Sequence, residues 1–97
     1  MIRSFGNKPT EDFFHGKRST HARKVATGIR DVALRKLDVL NAASTIDDLR
    51  SPPGNRLEKL SGDYRGFHSI RINQQWRLVF RWVESGAEDV EIVDYHE

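Results

Sequence analysis

Gly66-Phe67-His68-Ser69-Ile70-Arg71-Ile72-Asn73-Gln74-Gln75-Trp76-Arg77-Leu78-Val79-Phe80-Arg81-Trp82-Val83 is the stretch that decides the fold. Ile70 and Ile72 alternate with Ser69, Arg71 and Asn73. After Asn73-Gln74-Gln75 the alternation resumes, with Trp76, Leu78, Phe80 and Trp82 set against Arg77, Val79, Arg81 and Val83. A period of two with apolar residues on one side is the pattern of a half-buried strand. Asn73-Gln74-Gln75 supplies the turn between two such strands. Glu84-Ser85-Gly86-Ala87 supplies the next, ahead of a last strand through Val90, Ile92 and Val93. Strands joined by turns this short are predicted to lie side by side and antiparallel.

Working towards the N-terminus, Ser61-Gly62-Asp63 reads as a turn, and Leu57 and Leu60 flank a short extended piece. Ser51-Pro52-Pro53-Gly54 cannot continue a helix, because proline lacks the N–H donor and fixes φ. Thr45 is placed to cap a helical turn reaching Leu49. Residues 21–43 carry Val25, Ile29, Val32, Ala33, Leu37 and Leu40 at helical spacing, which predicts a long helix, with Gly28 a weak point that either permits close packing or joins two helical pieces. His15 to Thr20 is a polar break. Before it, Thr10 is a predicted N-cap, with Glu11 and Asp12 in the first turn and Phe13 and Phe14 turned inward. Met1 to Phe5 reads as a short strand. The expected architecture is α+β: one domain over residues 1–97, with an N-terminal strand and helices packed on a small, mostly antiparallel sheet.

A chain of 97 residues forms a thin core. It has no cysteine, which excludes disulfides and thiolate metal sites. No apolar run is long enough to span a bilayer, and no long apolar core follows Arg3 as a signal peptide requires. A cytoplasmic protein without membrane association is expected. The net charge of +2 conceals an asymmetry: all 16 Lys and Arg lie in residues 1–83, and residues 84–97 hold acids alone. A basic body of this kind attracts polyanions at long range.

The candidate chemistry lies near the end of the chain. Arg71, Arg77 and Arg81 fall on predicted central strands, opposite the apolar row, so a basic sheet face is expected towards solvent or RNA phosphate. Exposed arginines on a sheet also serve simply to solvate it. Arg50, Arg56, Lys59 and Arg65 lie on the surrounding loops and are candidates for phosphate contact. Asp94, Tyr95 and His96 follow the last strand, and the imidazole of His96 suits proton transfer near neutral pH. Terminal residues are, equally, often inert. His68 shares parity with Ile70 and reads as a packing residue. The four histidines form no metal motif, and no phosphate loop or nucleophile elbow is present, so neither metal nor cofactor is expected.

Pro53-Gly54-Asn55-Arg56-Leu57-Glu58, Gly62-Asp63, Ser69-Ile70-Arg71-Ile72-Asn73, Gln75-Trp76-Arg77 and Phe80-Arg81-Trp82 together resemble the HigB-type toxins of the RelE/ParE superfamily. The ending Val90-Glu91-Ile92-Val93-Asp94-Tyr95-His96 and the opening Met1 to Phe5 are similar to theirs as well. The resemblance implies a compact RelE-like domain acting as the toxin of a bacterial type II toxin–antitoxin system. The implied activity is a ribosome-dependent, metal-independent mRNA endoribonuclease, an mRNA interferase that cuts in the ribosomal A site, blocks translation and inhibits growth. Its implied partners are the ribosome, mRNA and a HigA-type helix-turn-helix antitoxin, through which alone it would reach operator DNA. Arg77 matches the arginine these toxins set against the scissile phosphate, and Asp94, Tyr95 and His96 match their catalytic C-terminal residues. Arg71, Arg81, Arg56, Lys59, Arg65 and Arg50 are the implied RNA contacts. Some relatives carry a histidine and a lysine where this chain has Glu58-Lys59-Leu60-Ser61, which leaves the second acid/base group open and points to a weaker nuclease. A ParE-like gyrase inhibitor and a non-catalytic RNA-binding relative are the alternative readings.

Overall fold

The computed structural model describes residues 1–95. Helix α1 spans Lys8–Phe14 and α2 spans Arg30–Ala42. The strands are β1, Glu58–Lys59; β2, His68–Arg71; β3, Trp76–Val83; and β4, Gly86–Asp94. They form one antiparallel sheet in the order β1-β2-β3-β4. The two turns predicted after Ile72 and Val83 set this order. Met1 to Phe5 forms no full strand. It runs parallel beside β4 through bridges Ile2–Ala87 and Phe5–Val90. The α+β reading, with a mostly antiparallel sheet, therefore holds.

Register assigns the sheet's two faces. His68 pairs with Phe80, Ile70 with Leu78, and Leu78 with Ile92, so these side chains share one face. Against it pack Ala33, Leu37 and Leu40 of α2, with Val25, Ile29 and Leu49 from the flanking turns. Phe80, Leu78 and Leu37 are completely buried there. The opposite face carries Glu58, Ser69, Arg71, Arg77, Val79 and Val93.

The long helix predicted over residues 21–43 is broken. Ala22–Lys24 and Thr27–Ile29 are separate 3-10 turns, with Val25 extended between them at ψ 124°. The Arg30 guanidinium supplies the reason. Its Nε and Nη2 donate to the carbonyl of Val25 at 3.1 and 3.0 Å, and Nη2 also reaches that of Arg23 at 3.3 Å. Carbonyls that a continuous helix would have satisfied internally are satisfied by one side chain instead. Val25 and Ile29 are buried in the core all the same.

The first helix also starts earlier than Thr10. Asn7 is its N-cap, with Oδ1 accepting from the Thr10 N–H at 3.0 Å, and Pro9 stands in the first turn. Thr10 is buried, and its hydroxyl accepts the Ile92 N–H at 3.0 Å, tying the helix to β4. Thr45 precedes a 3-10 turn over Ile46–Arg50, where the Asp48 carboxylate accepts from the N–H groups of Ser44 and Thr45.

The irregular segment 15–29 is anchored by a buried carboxylate. The Asp12 side chain is 3% exposed. It accepts a 2.6 Å bond from Ser19 Oγ, which in turn accepts the Ala22 N–H. The Ser19 hydroxyl holds the carboxyl's pKa below the usual range, with help from Lys8 and Lys17. A lowered folded-state pKa gives stability that is present above the unfolded value and lost as pH falls through the folded one. Asp12→Asn should therefore unfold at lower denaturant at about pH 7, yet lose less than the parent between about pH 5 and pH 3. Parallel pH profiles of the urea midpoint would contradict this assignment.

Candidate functional site

The face away from the helices is not the open basic surface expected from alternation. Arg77, Ser69 and Val79 on it are buried, Arg77 at 2% exposure. Side chains from outside the central strands gather at the Arg77 end of the face. Gly62–Tyr64 forms a 3-10 turn after β1 that delivers Tyr64, with Phe67 edge-on to it at 5.7 Å. The Tyr95 ring, just past β4, lies 6.5 Å from Tyr64 and 5.7 Å from the Arg77 guanidinium carbon. That distance is within cation–π range. From the short β1, Glu58 brings Oε1 to 3.8 Å from Arg77 Nη1.

Arg71 and Arg77 are direct cross-strand partners. Like charges in that position repel, and the repulsion weakens the sheet unless an anion joins them. The two guanidinium-bearing side chains, the Glu58 carboxylate and the Tyr95 phenol thus occupy one end of the face. This arrangement suits an oxyanion, and it sets a carboxylate able to exchange a proton beside the cation.

Asp94 is the last residue of β4 and is exposed; its Oδ2 accepts from Gln75 Nε2 at 3.0 Å. Tyr95 is half-buried. His96 lies outside the described residues. Arg81 shares the Arg77 face by parity, but it is half-exposed and pairs with Asp89 at 3.5 Å. There β4 carries a bulge, with Asp89 at φ 53°. Arg50 is exposed and bonded to Asp47 at 2.9 Å. Arg56, at φ 45°, and Arg65 are exposed on turns, and Lys59 pairs with His68 in register, which places it on the helix-side face. Of the expected RNA contacts, then, Arg71 alone is shown as a direct partner of Arg77.

His68 stacks on Phe80 at 6.2 Å, and burial, reinforced by Lys59, pushes its pKa down. It belongs to the helix-side face, as its parity predicted. No cluster of three or more potential metal ligands occurs among the described residues. No helix among them is long and apolar enough to cross a membrane.

Sequence reasoning did not single out Tyr64 and Phe67, and it named Glu58 only as an alternative proton-transfer group. Tyr64 and Phe67 lie in a turn, where alternation gives no face. Glu58 lies in a two-residue strand, too short for any period to show.

Comparisons with known proteins agree with this architecture. A family model described as "RelE-like toxin of type II toxin-antitoxin system HigB" matches residues 3–96. Toxin HigB-1 of Vibrio cholerae is 41% identical over 87 residues, covering 90% of each chain. The protein named Endoribonuclease HigB of Proteus vulgaris is 29% identical over 97 residues, covering 99% of this chain and 100% of its own. Among solved structures, a YoeB-YefM complex from Staphylococcus aureus aligns with a TM-score of 0.60 at 14% identity, covering 100% of this chain and 99% of that one. At that identity the likeness is one of fold.

Proposed function

The chain belongs to the HigB-like family of RelE-like toxins, and from that premise we propose that it is a ribosome-dependent mRNA endoribonuclease neutralised by a HigA-type antitoxin. The observation that carries the chemistry is Arg77, held on a central strand with Glu58 at 3.8 Å and Arg71 as its cross-strand partner. In the reaction, a base removes the proton of an RNA 2′-OH, and the 2′-oxygen attacks the adjacent phosphorus. The P–O5′ bond breaks, and an acid protonates the departing 5′-oxygen. The products are a 2′,3′-cyclic phosphate and a 5′-hydroxyl. This balances with a base, an acid and a cation for the phosphorane charge, and calls for no metal.

Arg77 takes the cation role, with Arg71 assisting. His96 transfers a proton, supported by Asp94, and Glu58 is the second proton-transfer group. Tyr95 lies over Arg77, so phosphate entry requires its ring to move aside, after which it can stack on a base. Arg81, Arg56, Lys59, Arg65 and Arg50 contribute outer phosphate contacts, the largest share of protein–nucleic acid hydrogen bonds. The antitoxin reading is supported by the toxin–antitoxin family match and by neighbours whose titles name YoeB-YefM complexes. Cytoplasmic action follows from the proposed target.

Dependence on the ribosome follows from the sparseness of the site. Positioning alone contributes about 7–11 kcal/mol to well-oriented reactions, and the ribosome can supply that orientation to a site made of a few side chains at one end of a small sheet. Purified protein should cut mRNA on programmed 70S ribosomes, with 5′ ends mapped by primer extension, far faster than naked RNA. Co-purified antitoxin should abolish the cut. Equal rates on free RNA would refute ribosome dependence. Inhibition of gyrase without any cleavage would instead make the chain a ParE-like toxin.

A further inference from the structure

The β2–β3 turn grips the end of β4. Asn73 Oδ1 accepts the N–H groups of both Gln75 and Trp76, at 2.8 and 2.7 Å, so the Gln75 backbone is fixed by a side chain of its own turn. Gln75 then holds the end of β4 at two points. Its carbonyl accepts the Tyr95 N–H at 2.8 Å, one residue beyond the ladder's last pair, Trp76–Asp94. Its side-chain amide donates to Asp94 Oδ2 at 3.0 Å.

Gln75 and Asp94 are both exposed. A hydrogen bond in water between such groups adds little to folding, because water replaces either partner at small cost. What the bond does supply is direction. It turns the Asp94 carboxylate, while the backbone bond sets the course of the chain at Tyr95, whose ring covers Arg77. Asn73 and Gln75 thereby couple the turn before β3 to the segment that follows β4, where the proposed proton-transfer groups lie.

We propose that Gln75 is a positioning residue for cleavage: acting through Asp94 and the Tyr95 backbone, it orients the Asp94-Tyr95 segment relative to Arg77. This rests on the reading of that segment as catalytic. Small displacements of reacting groups carry large rate penalties, so loss of one orienting bond should appear in the chemical step and not in affinity.

The test uses the full chain on programmed 70S ribosomes, measuring single-turnover cleavage at saturation and the concentration giving half-saturation. Gln75→Ala should lower the saturated rate about tenfold, with half-saturation and thermal midpoint essentially unchanged. Gln75→Lys keeps a donor against Asp94 and should recover most of the rate. Gln75→Glu sets two carboxylates together. They share a proton at low pH and repel when both ionise, so its rate relative to the parent should fall as pH rises through about pH 4–6. A merely structural role would produce no such profile. Should Gln75→Ala fail to fold, the Gln75→Glu profile decides alone. Raised half-saturation with an unchanged saturated rate would make Gln75 a substrate contact and overturn the proposal. Parental rates for Gln75→Ala and Gln75→Glu at every pH would also overturn it, provided Arg77→Met and His96→Ala are inactive. If those two variants also cleave normally, the catalytic reading of the segment falls first, and the proposal with it.

Discussion

Arg77→Met should lose about 10²–10³-fold in single-turnover mRNA cleavage while folding as stably as the parent or more so. The first half follows from charge. The guanidinium is placed where negative charge develops on the phosphorane, and a preorganised donor there acts mainly on the transition state. The second half follows from burial. Arg77 is 2% exposed, with Arg71 as its cross-strand partner. Arg77→Met removes the cost of burying a guanidinium, and the Glu58 carboxylate it leaves behind is exposed, so water takes the place of the lost partner. Cleavage and thermal midpoint should therefore move independently, or in opposite directions. Arg77→Lys should recover little activity, since an ammonium cannot present the planar two-point fork that meets two phosphate oxygens. Antitoxin binding, read by co-purification, should survive in both variants. A marked drop in the thermal midpoint of Arg77→Met would show that Arg77 is there for the fold, and its proposed role would lose its main support.

The same residue shows what alternation can and cannot reveal. Trp76, Leu78, Phe80 and Trp82 identified the helix-side face of β3, because a strand's side chains have a strict period of two and one apolar row suffices. The face opposite was read as open by elimination. Arg77 is buried there with Tyr95, from the segment past the last strand, against its guanidinium and Tyr64, from a turn, against Tyr95, and that convergence is a tertiary fact. The helix over residues 21–43 failed for a comparable reason. Val25, Ile29, Ala33, Leu37 and Leu40 do face the core, so their spacing was informative about burial. Two 3-10 turns meet the same spacing, and the choice between them and a helix was made by Arg30 reaching back to the carbonyls of Arg23 and Val25. Thr10 was misplaced as a cap because Asn7, three residues earlier, offers the same chemistry, and the Ile92 amide engages the threonine hydroxyl. Glu58, open as an acid/base group from the sequence, acquired a place in the site once register set it beside Ser69 and within reach of Arg77.

His96→Ala should cost about 10²–10⁴-fold in cleavage, the range associated with removal of a proton-transfer group. Two proton transfers are needed, one from the 2′-OH and one to the 5′-oxygen, and Glu58 and His96 are the side chains proposed to divide them. The pH profile separates the roles. With Glu58 as base and His96 as acid, the parent should show a bell: activity rises as the carboxylate ionises and falls as the imidazole loses its proton. His96→Ala should then lack the alkaline fall, and Glu58→Gln the acidic rise. Glu58→Gln also removes the carboxylate from beside Arg77, which strengthens phosphate binding. Its half-saturation should therefore improve even as its rate falls, a pairing that simple damage to the site would not produce. If His96→Ala cleaves at the parental rate while Glu58→Gln is inactive, the terminal imidazole has no part in the chemistry. The second transfer then passes to the phenol of Tyr95, which already lies against Arg77, and Tyr95→Phe becomes the inactive variant.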